Sequence, residues 1–223
     1  MNTLIKLNDI CYQRSNGQIC ANKLNFRLQS GDRIAITGSN GTGKSTLFQI
    51  MLGLLEGGTG KVELFGEECL SEKDFAKHRV QIGYLFQDSD DQLFCPTVME
   101  DVCFGPINQG YNQKEAERMA YETLRELGIE SLAHQVSYLL SGGQKKLVSL
   151  ATILVMKPRV LLLDEPTNGL DEKNYNMLIS LINATQLPII LVSHDQKLRK
   201  ALTNTEYQLS DGKLLASHDF VTS

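Results

Sequence analysis

The run Arg33-Ile34-Ala35-Ile36-Thr37, followed directly by Gly38-Ser39-Asn40-Gly41-Thr42-Gly43-Lys44-Ser45, constrains this chain more than any other feature. A short apolar run bounded by turn residues reads as a buried strand, and residues 46–52, opening with Thr46, read as a helix. The glycines therefore sit at a strand–loop–helix junction, where G-x-x-x-x-G-K-[ST] is the spacing of a phosphate loop. Glycines let the backbone fold tightly enough to point several N–H groups at an anion, and the following helix adds its positive end. Lys44 is expected to hold the β- and γ-phosphates of a nucleotide. Ser45 offers a hydroxyl to Mg²⁺, a hard ion that keeps oxygen ligands. The competing reading is a glycine-rich turn that binds no nucleotide.

Further strands are expected at residues 4–12 and 24–28, and at 61–65, 81–86, 159–163 and 188–192, these last four forming the central sheet with 33–37. The runs at 159–163 and 188–192 are almost wholly aliphatic, as in parallel strands covered on both faces. Residues 98–108, 114–127 and 144–156 carry apolar residues at helical spacing, so a mostly helical insert divides the front of the sheet from its back. Asp211-Gly212 between 207–209 and 213–215 reads as a β-hairpin turn. At 223 residues one domain is expected, spanning 1–223, with 88–156 as an inserted helical subdomain.

Val160-Leu161-Leu162-Leu163-Asp164-Glu165 is an apolar strand ending in two acids, 120 residues beyond Lys44. Neighbours on a strand face opposite ways, so the two carboxylates have different tasks. Asp164 is expected to support Mg²⁺ and Glu165 to orient the attacking water, because phosphoryl transfer depends on positioning and charge stabilisation. Alone, the pair could equally be a solvated strand end. Leu140-Ser141-Gly142-Gly143-Gln144 then places a serine and two glycines at a helix start, which is both a capping arrangement and a second anion site. Two anion sites in one chain are explained economically if the second serves a partner's nucleotide, which predicts a head-to-tail dimer.

Together these motifs resemble the ATP-binding cassette (ABC) family from Tyr12 to His194. Gly38 to Ser45 is similar to its Walker A loop, Leu140 to Gln144 to its signature and Leu161 to Glu165 to its Walker B strand. The resemblance implies a P-loop α/β core with a mixed sheet, an antiparallel N-terminal β-subdomain and a helical signature subdomain. It implies ATP and Mg²⁺ as cofactors, with Tyr12 stacking on adenine and Asp171 as the D-loop aspartate. Gln87 corresponds to the glutamine that meets Mg²⁺ and His194 to the switch histidine at the γ-phosphate. Read singly, His194 would be a surface residue and Tyr12 a core residue.

The stretches Asp90-Asp91-Gln92-Leu93-Phe94, Thr97-Val98, Glu100-Asp101-Val102 and Phe104-Gly105-Pro106-Ile107-Asn108 are similar to the ATPases of energy-coupling-factor importers, above all the cobalt and nickel type. That implies a transmembrane coupling protein, a substrate-binding membrane subunit and a second cassette as partners, and uptake of a metal ion or vitamin. Two departures stand out. Leu147 occupies a position where relatives commonly have arginine, and the chain stops soon after the hairpin, where many relatives continue. A soluble ABC ATPase of iron–sulfur assembly or another non-transport role is the alternative.

Composition narrows the classes further. No apolar run approaches the roughly 20 residues of a membrane span, and Asp9 and Arg14 interrupt the start where a signal peptide would be apolar. The expectation is a cytoplasmic protein, peripheral on the inner face of the membrane. A net charge of −4 gives no general reason for nucleic-acid binding. The five cysteines lack C-x-x-C spacing and signal neither a disulfide framework nor a zinc site.

Overall fold

The computed structural model describes residues 2–216. The tail at 217–223, on which the expectation of a short C-terminus rests, lies outside them. In chain order the elements are β1 (Thr3–Gln13), β2 (Ile19–Gln29), β3 (Arg33–Thr37), α1 (Lys44–Met51), β4 (Thr59–Leu64), β5 (Glu67–Glu68), α2 (Glu72–Arg79) and β6 (Ile82–Leu85). There follow α3 (Val98–Asn108), α4 (Gln113–Glu126), α5 (Gly142–Leu154), β7 (Val160–Asp164), α6 (Glu172–Thr185), β8 (Ile189–Val192), α7 (Gln196–Leu202), β9 (Thr205–Ser210) and β10 (Lys213–Ala216). Single 3₁₀ turns stand at Glu130–Leu132 and Ser137–Leu139. Among the described residues no helix is long and apolar enough to cross a membrane.

The chain forms two compact units, one running to Ile82 and resuming at Gln186, the other Gly83–Thr185. In the first, an antiparallel sheet has the order β2-β1-β4-β5. Its strands alternate buried and wet residues, with Leu24, Phe26 and Leu28 inward on β2. Beside it in sequence, β3 pairs in parallel with β8 on one edge and β9 on the other, and β10 closes antiparallel onto β9. The Asp211-Gly212 turn between β9 and β10 has both residues at positive φ, 49° and 71°, as a tight hairpin requires. The sheet is therefore mixed.

One expectation is corrected. The strand expected at 61–65 belongs not to the central sheet but to β4, which ends at Leu64 and pairs antiparallel with β1. Only Val62 and Leu64 of β4 are buried, the pattern of a strand with one wet face, whereas every residue of β7 and β8 is buried.

The second unit packs α3, α4 and α5 together, with β6 and β7 adjacent in their sheet. Ala116, Ala120 and Leu124 on α4 and Val98 and Val102 on α3 are fully buried, one stripe from each helix. Capping boxes start three helices of this unit: Thr97 with Glu100, Asn112 with Glu115, and Ser141 with Gln144. Such caps contribute about 1 kcal/mol each and fix where each helix begins.

Candidate functional site

Thr37 ends β3, and residues 38–43 lead straight into α1, whose N-cap Gly43 brings no side-chain cap and whose first turn holds no acid. An uncapped helix start presents its N–H groups and positive end to the space above the loop. Gly38 and Gly43, at φ 148° and 101°, are required by space as well as torsion. A Cβ on Gly38 would come within 2.6 Å of the Leu209 carbonyl oxygen, and one on Gly43 within 2.9 Å of Cys20 Cβ. Lys44 is buried, and its Nζ donates to Gly38 O at 2.8 Å and Ser39 O at 3.0 Å. An ammonium folded into this cradle fits a polyphosphate, whose anionic oxygens are better acceptors than the carbonyls it now meets. Ser39, Asn40 and Gly41 are exposed at the mouth, and Thr42 Oγ1 donates to Ser39 O at 3.0 Å.

The β1–β2 hairpin leans on this loop. The Arg14 guanidinium donates to Thr46 Oγ1, the Gln18 amide to Gly41 O, and Cys20 abuts Gly43. Tyr12 lies two residues before Arg14, half-buried, and lines a cavity of about 680 Å³ with Ile50 and Leu54, just beyond the phosphate loop's helix. An aromatic face there can stack a base.

His194 comes from the same edge of the sheet. Ile36 of β3 lies opposite Val192 of β8, so Gly38 and His194 each follow two residues after paired positions, at the carboxyl ends of neighbouring parallel strands. Such ends are where open α/β sheets bind ligands. Exposed His194 is held through its neighbours: Asp195 caps α7 by accepting from Leu198 N at 3.1 Å, and Arg199 Nη1 donates to Ser193 O at 3.2 Å.

The second unit carries the acids. Asp164 is buried at the end of β7, and Tyr84 Oη on β6 donates to its Oδ2 at 3.3 Å. Burial, reinforced by that carboxylate, pushes the Tyr84 phenol above its ordinary pKa, so it remains a donor. Glu165 follows at φ 41°, half-buried. A left-handed backbone costs a non-glycine residue about 1–3 kcal/mol and is typical of functional turns. The Ser45 hydroxyl, the Gln87 amide and the Asp164 carboxylate each offer a hard oxygen donor, the ligand type that Mg²⁺ takes.

Gln87 is exposed two residues past β6, and its carbonyl accepts from Lys146 Nζ at 2.9 Å. Burial lowers the Lys146 pKa, against the pull of Asp88 and Asp164. In the signature, Ser141 Oγ accepts from Gln144 N at 3.3 Å while Gln144 Oε1 accepts from Ser141 N at 2.9 Å. The hydroxyl keeps its own proton to donate outward. Ser141 and Gly142 are exposed and Gly143 is buried. Exposed Asp171 starts α6, its Oδ1 accepting from Asn174 N at 2.8 Å and its Oδ2 from Asn174 Nδ2 at 3.1 Å.

The expected residues thus form two groups. Tyr12, residues 38–46 and His194 lie in the first unit; Gln87, residues 140–144, Asp164, Glu165 and Asp171 lie in the second. Sequence reasoning missed Arg14, Tyr84, Lys146 and Asn174. Lys146 alone left a signal, a cation on the buried stripe of α5 between Gly143 and Leu150. Leu147 is also buried there.

The model of the ABC transporter family matches residues 21–168. An ABC transporter ATP-binding protein of Brucella suis is 45% identical, over 96% of this chain and 89% of its own length. The energy-coupling factor transporter ATP-binding protein EcfA of Methanosphaera stadtmanae is 38% identical, over 97% and 80%. Among solved structures, cbiO1 of Clostridium perfringens, part of the ABC transporter complex cbiONQ, is 34% identical with a TM-score of 0.84, over 96% of this chain and 88% of that one. The dimeric structure of the bacterial cassette MJ0796 is 26% identical with a TM-score of 0.83, over 95% and 96%. The chain belongs to the ABC transporter family, as one of its ATP-binding, ATP-hydrolysing cassettes.

Proposed function

We propose that this cassette drives an energy-coupling-factor importer, closing on a second cassette around Mg-ATP and reopening after hydrolysis. In this reading Lys44 and residues 38–43 grip the phosphates, Tyr12 stacks on the base, and Thr46 continues the loop's wall. Ser45, Gln87 and, through water, Asp164 hold Mg²⁺, which neutralises phosphate charge when bound. Glu165 orients the attacking water and His194 meets the γ-phosphate. Ser141, Gly142, Gly143 and Gln144 face the partner's nucleotide, with Asp171 beside them. Residues 88–156 act as the helical subdomain of a single cassette. Relatives named as energy-coupling factor proteins support this, as do the dimeric cassettes of the same fold.

The observation that carries the transport reading is an apolar surface beyond Gln87. Phe94 is 64% exposed and stacks edge-on against Phe104 at 4.8 Å, while Tyr138 and Leu139 are 74% and 71% exposed. Buried Asp101 ties the segments together, its Oδ1 accepting from Phe94 N and Cys95 N and its Oδ2 from Ser137 Oγ. Clustered large apolar side chains held on a rigid frame suit a protein partner. The proposed occupant is the transmembrane coupling protein, on the inner face of the membrane, and the cargo a cobalt or nickel ion or a vitamin. Phe94→Asp with Phe104→Asp is expected to release the chain from membranes and to abolish co-purification of its membrane subunits, with ATP binding intact. Unchanged membrane recovery would contradict the reading.

A further inference from the structure

The segment after β6 is fastened to the signature helix α5 at three places. Lys145 Nζ meets Asp90 Oδ1 at 2.5 Å. Gln92 donates to Ser149 O and Thr152 Oγ1, both at 2.9 Å, and accepts from Phe86 N at 3.2 Å. Lys146 Nζ donates to Phe86 O at 3.0 Å and to Gln87 O at 2.9 Å.

The third fastening differs in kind. Lys146 is 3% exposed, and its acceptors are two consecutive main-chain carbonyls. Burying an ammonium is costly, and an aliphatic residue would fill the same stripe of α5 without that cost. What the ammonium supplies, and an aliphatic residue cannot, is a grip on the backbone of Phe86 and Gln87. The same helix begins at Ser141, five positions earlier, or about 7.5 Å along its axis. Ser141 and Lys146 stand at the cap and in the second turn of one continuous 13-residue helix, so a displacement of its capped end has a direct path to Lys146.

We infer that Lys146 is a positioning residue that locks the Gln87 backbone to the signature helix, so that an anion seated at Ser141 is felt at the metal-side glutamine of the same chain. Nothing in the family match or in the relatives' names assigns it this role. The inference rests on the proposed reading of Gln87 as a Mg²⁺ ligand and of Ser141 as the contact to a partner's nucleotide. Lys145 and Gln92 steady the remainder of the segment; of the three, it is Lys146 that donates to the carbonyl of Gln87 itself.

The test uses the full chain carrying Glu165→Gln, so that ATP persists, with Mn²⁺ as the metal probe followed by electron paramagnetic resonance. Lys146→Met is expected to weaken Mn²⁺ binding to the ATP-bound chain by about 10-fold, the low end for losing a group that orients a metal ligand. ATP affinity without metal should stay unchanged, and Lys146→Arg should restore Mn²⁺ binding. A merely structural lysine would lower both affinities together. Ser141→Arg and Lys146→Met should also be non-additive toward Mn²⁺, because both act through one helix. A folded Lys146→Met chain with unchanged Mn²⁺ affinity overturns the inference. If that variant does not fold, Lys146→Gln, which keeps a polar donor but shortens its reach to the two carbonyls, should weaken Mn²⁺ in the same direction; no change there overturns it equally. Gln87→Ala separates the two levels: if it leaves Mn²⁺ affinity intact, the reading of Gln87 as a ligand fails. If Gln87→Ala weakens the metal and Lys146→Met does not, only the inference falls.

Discussion

Asn174 stands where a Cβ on Gly143 would have to go, its Nδ2 only 2.3 Å from that position. Asn174 is in turn fixed by Asp171, through both its main-chain N–H and its side-chain amide. The third residue of the Ser141-Gly142-Gly143 turn and the aspartate that opens α6 are thus joined through one asparagine. Gly143→Ala should destabilise the protein by about 1–3 kcal/mol, the cost of an overpacked contact. Chemical denaturation would measure it, and Asn174→Ala in the same chain should recover most of the loss. A Gly143→Ala protein as stable as its parent would contradict this packing.

Glu165 sits in a strained turn beside a carboxylate that Tyr84 holds in place. Glu165→Gln keeps the shape and removes the base. It is expected to leave ATP affinity intact and to cut turnover at least ~10²-fold, the lower range for loss of a positioned acid–base group. Unchanged hydrolysis would remove Glu165 from its role.

The thiol of Cys103 on α3 gives a pH dependence with a definite sign. Burial, with smaller effects from Glu117 and Glu100, pushes it up to about 11. The folded chain therefore keeps this proton after the unfolded chain, near the ordinary value of about 8.5, has lost it. Stability from this group is full below pH ~8.5 and declines as pH rises toward 11. Denaturant titrations between pH 8 and 10.5 should fall less steeply for Cys103→Ala than for the parent; equal slopes would contradict the shift.

Much of the fold is legible because local patterns decide it. The strand at 33–37 and the helix at 98–108 start and stop where expected, the helix because Thr97 and Glu100 close a capping box. The strand expected at 61–65 falls in the other sheet because a short aliphatic run does not name its partner; its pairing with β1 joins residues 48–59 apart in sequence. Helix α6 escaped notice because only Leu178 and Ile182 of its residues are buried, too few to mark a stripe. In the site, the phosphate loop and the Ser141 cap are visible because their chemistry lies in consecutive residues. Tyr84 with Asp164, and Lys146 with Gln87, are 80 and 59 residues apart and join only through tertiary packing.

The central claim is that each active site is built from two chains, and mixing tests it most directly. Ser141→Arg chain and Lys44→Ala chain, each expected to be inactive alone, would be mixed in equal amounts while ATP hydrolysis is followed. If the exposed signature of one chain completes the phosphate site of another, the mixed dimer keeps one site whose loop and signature are both intact, so the mixture should recover turnover that neither chain shows alone. A mixture as inactive as its two components would contradict the shared site.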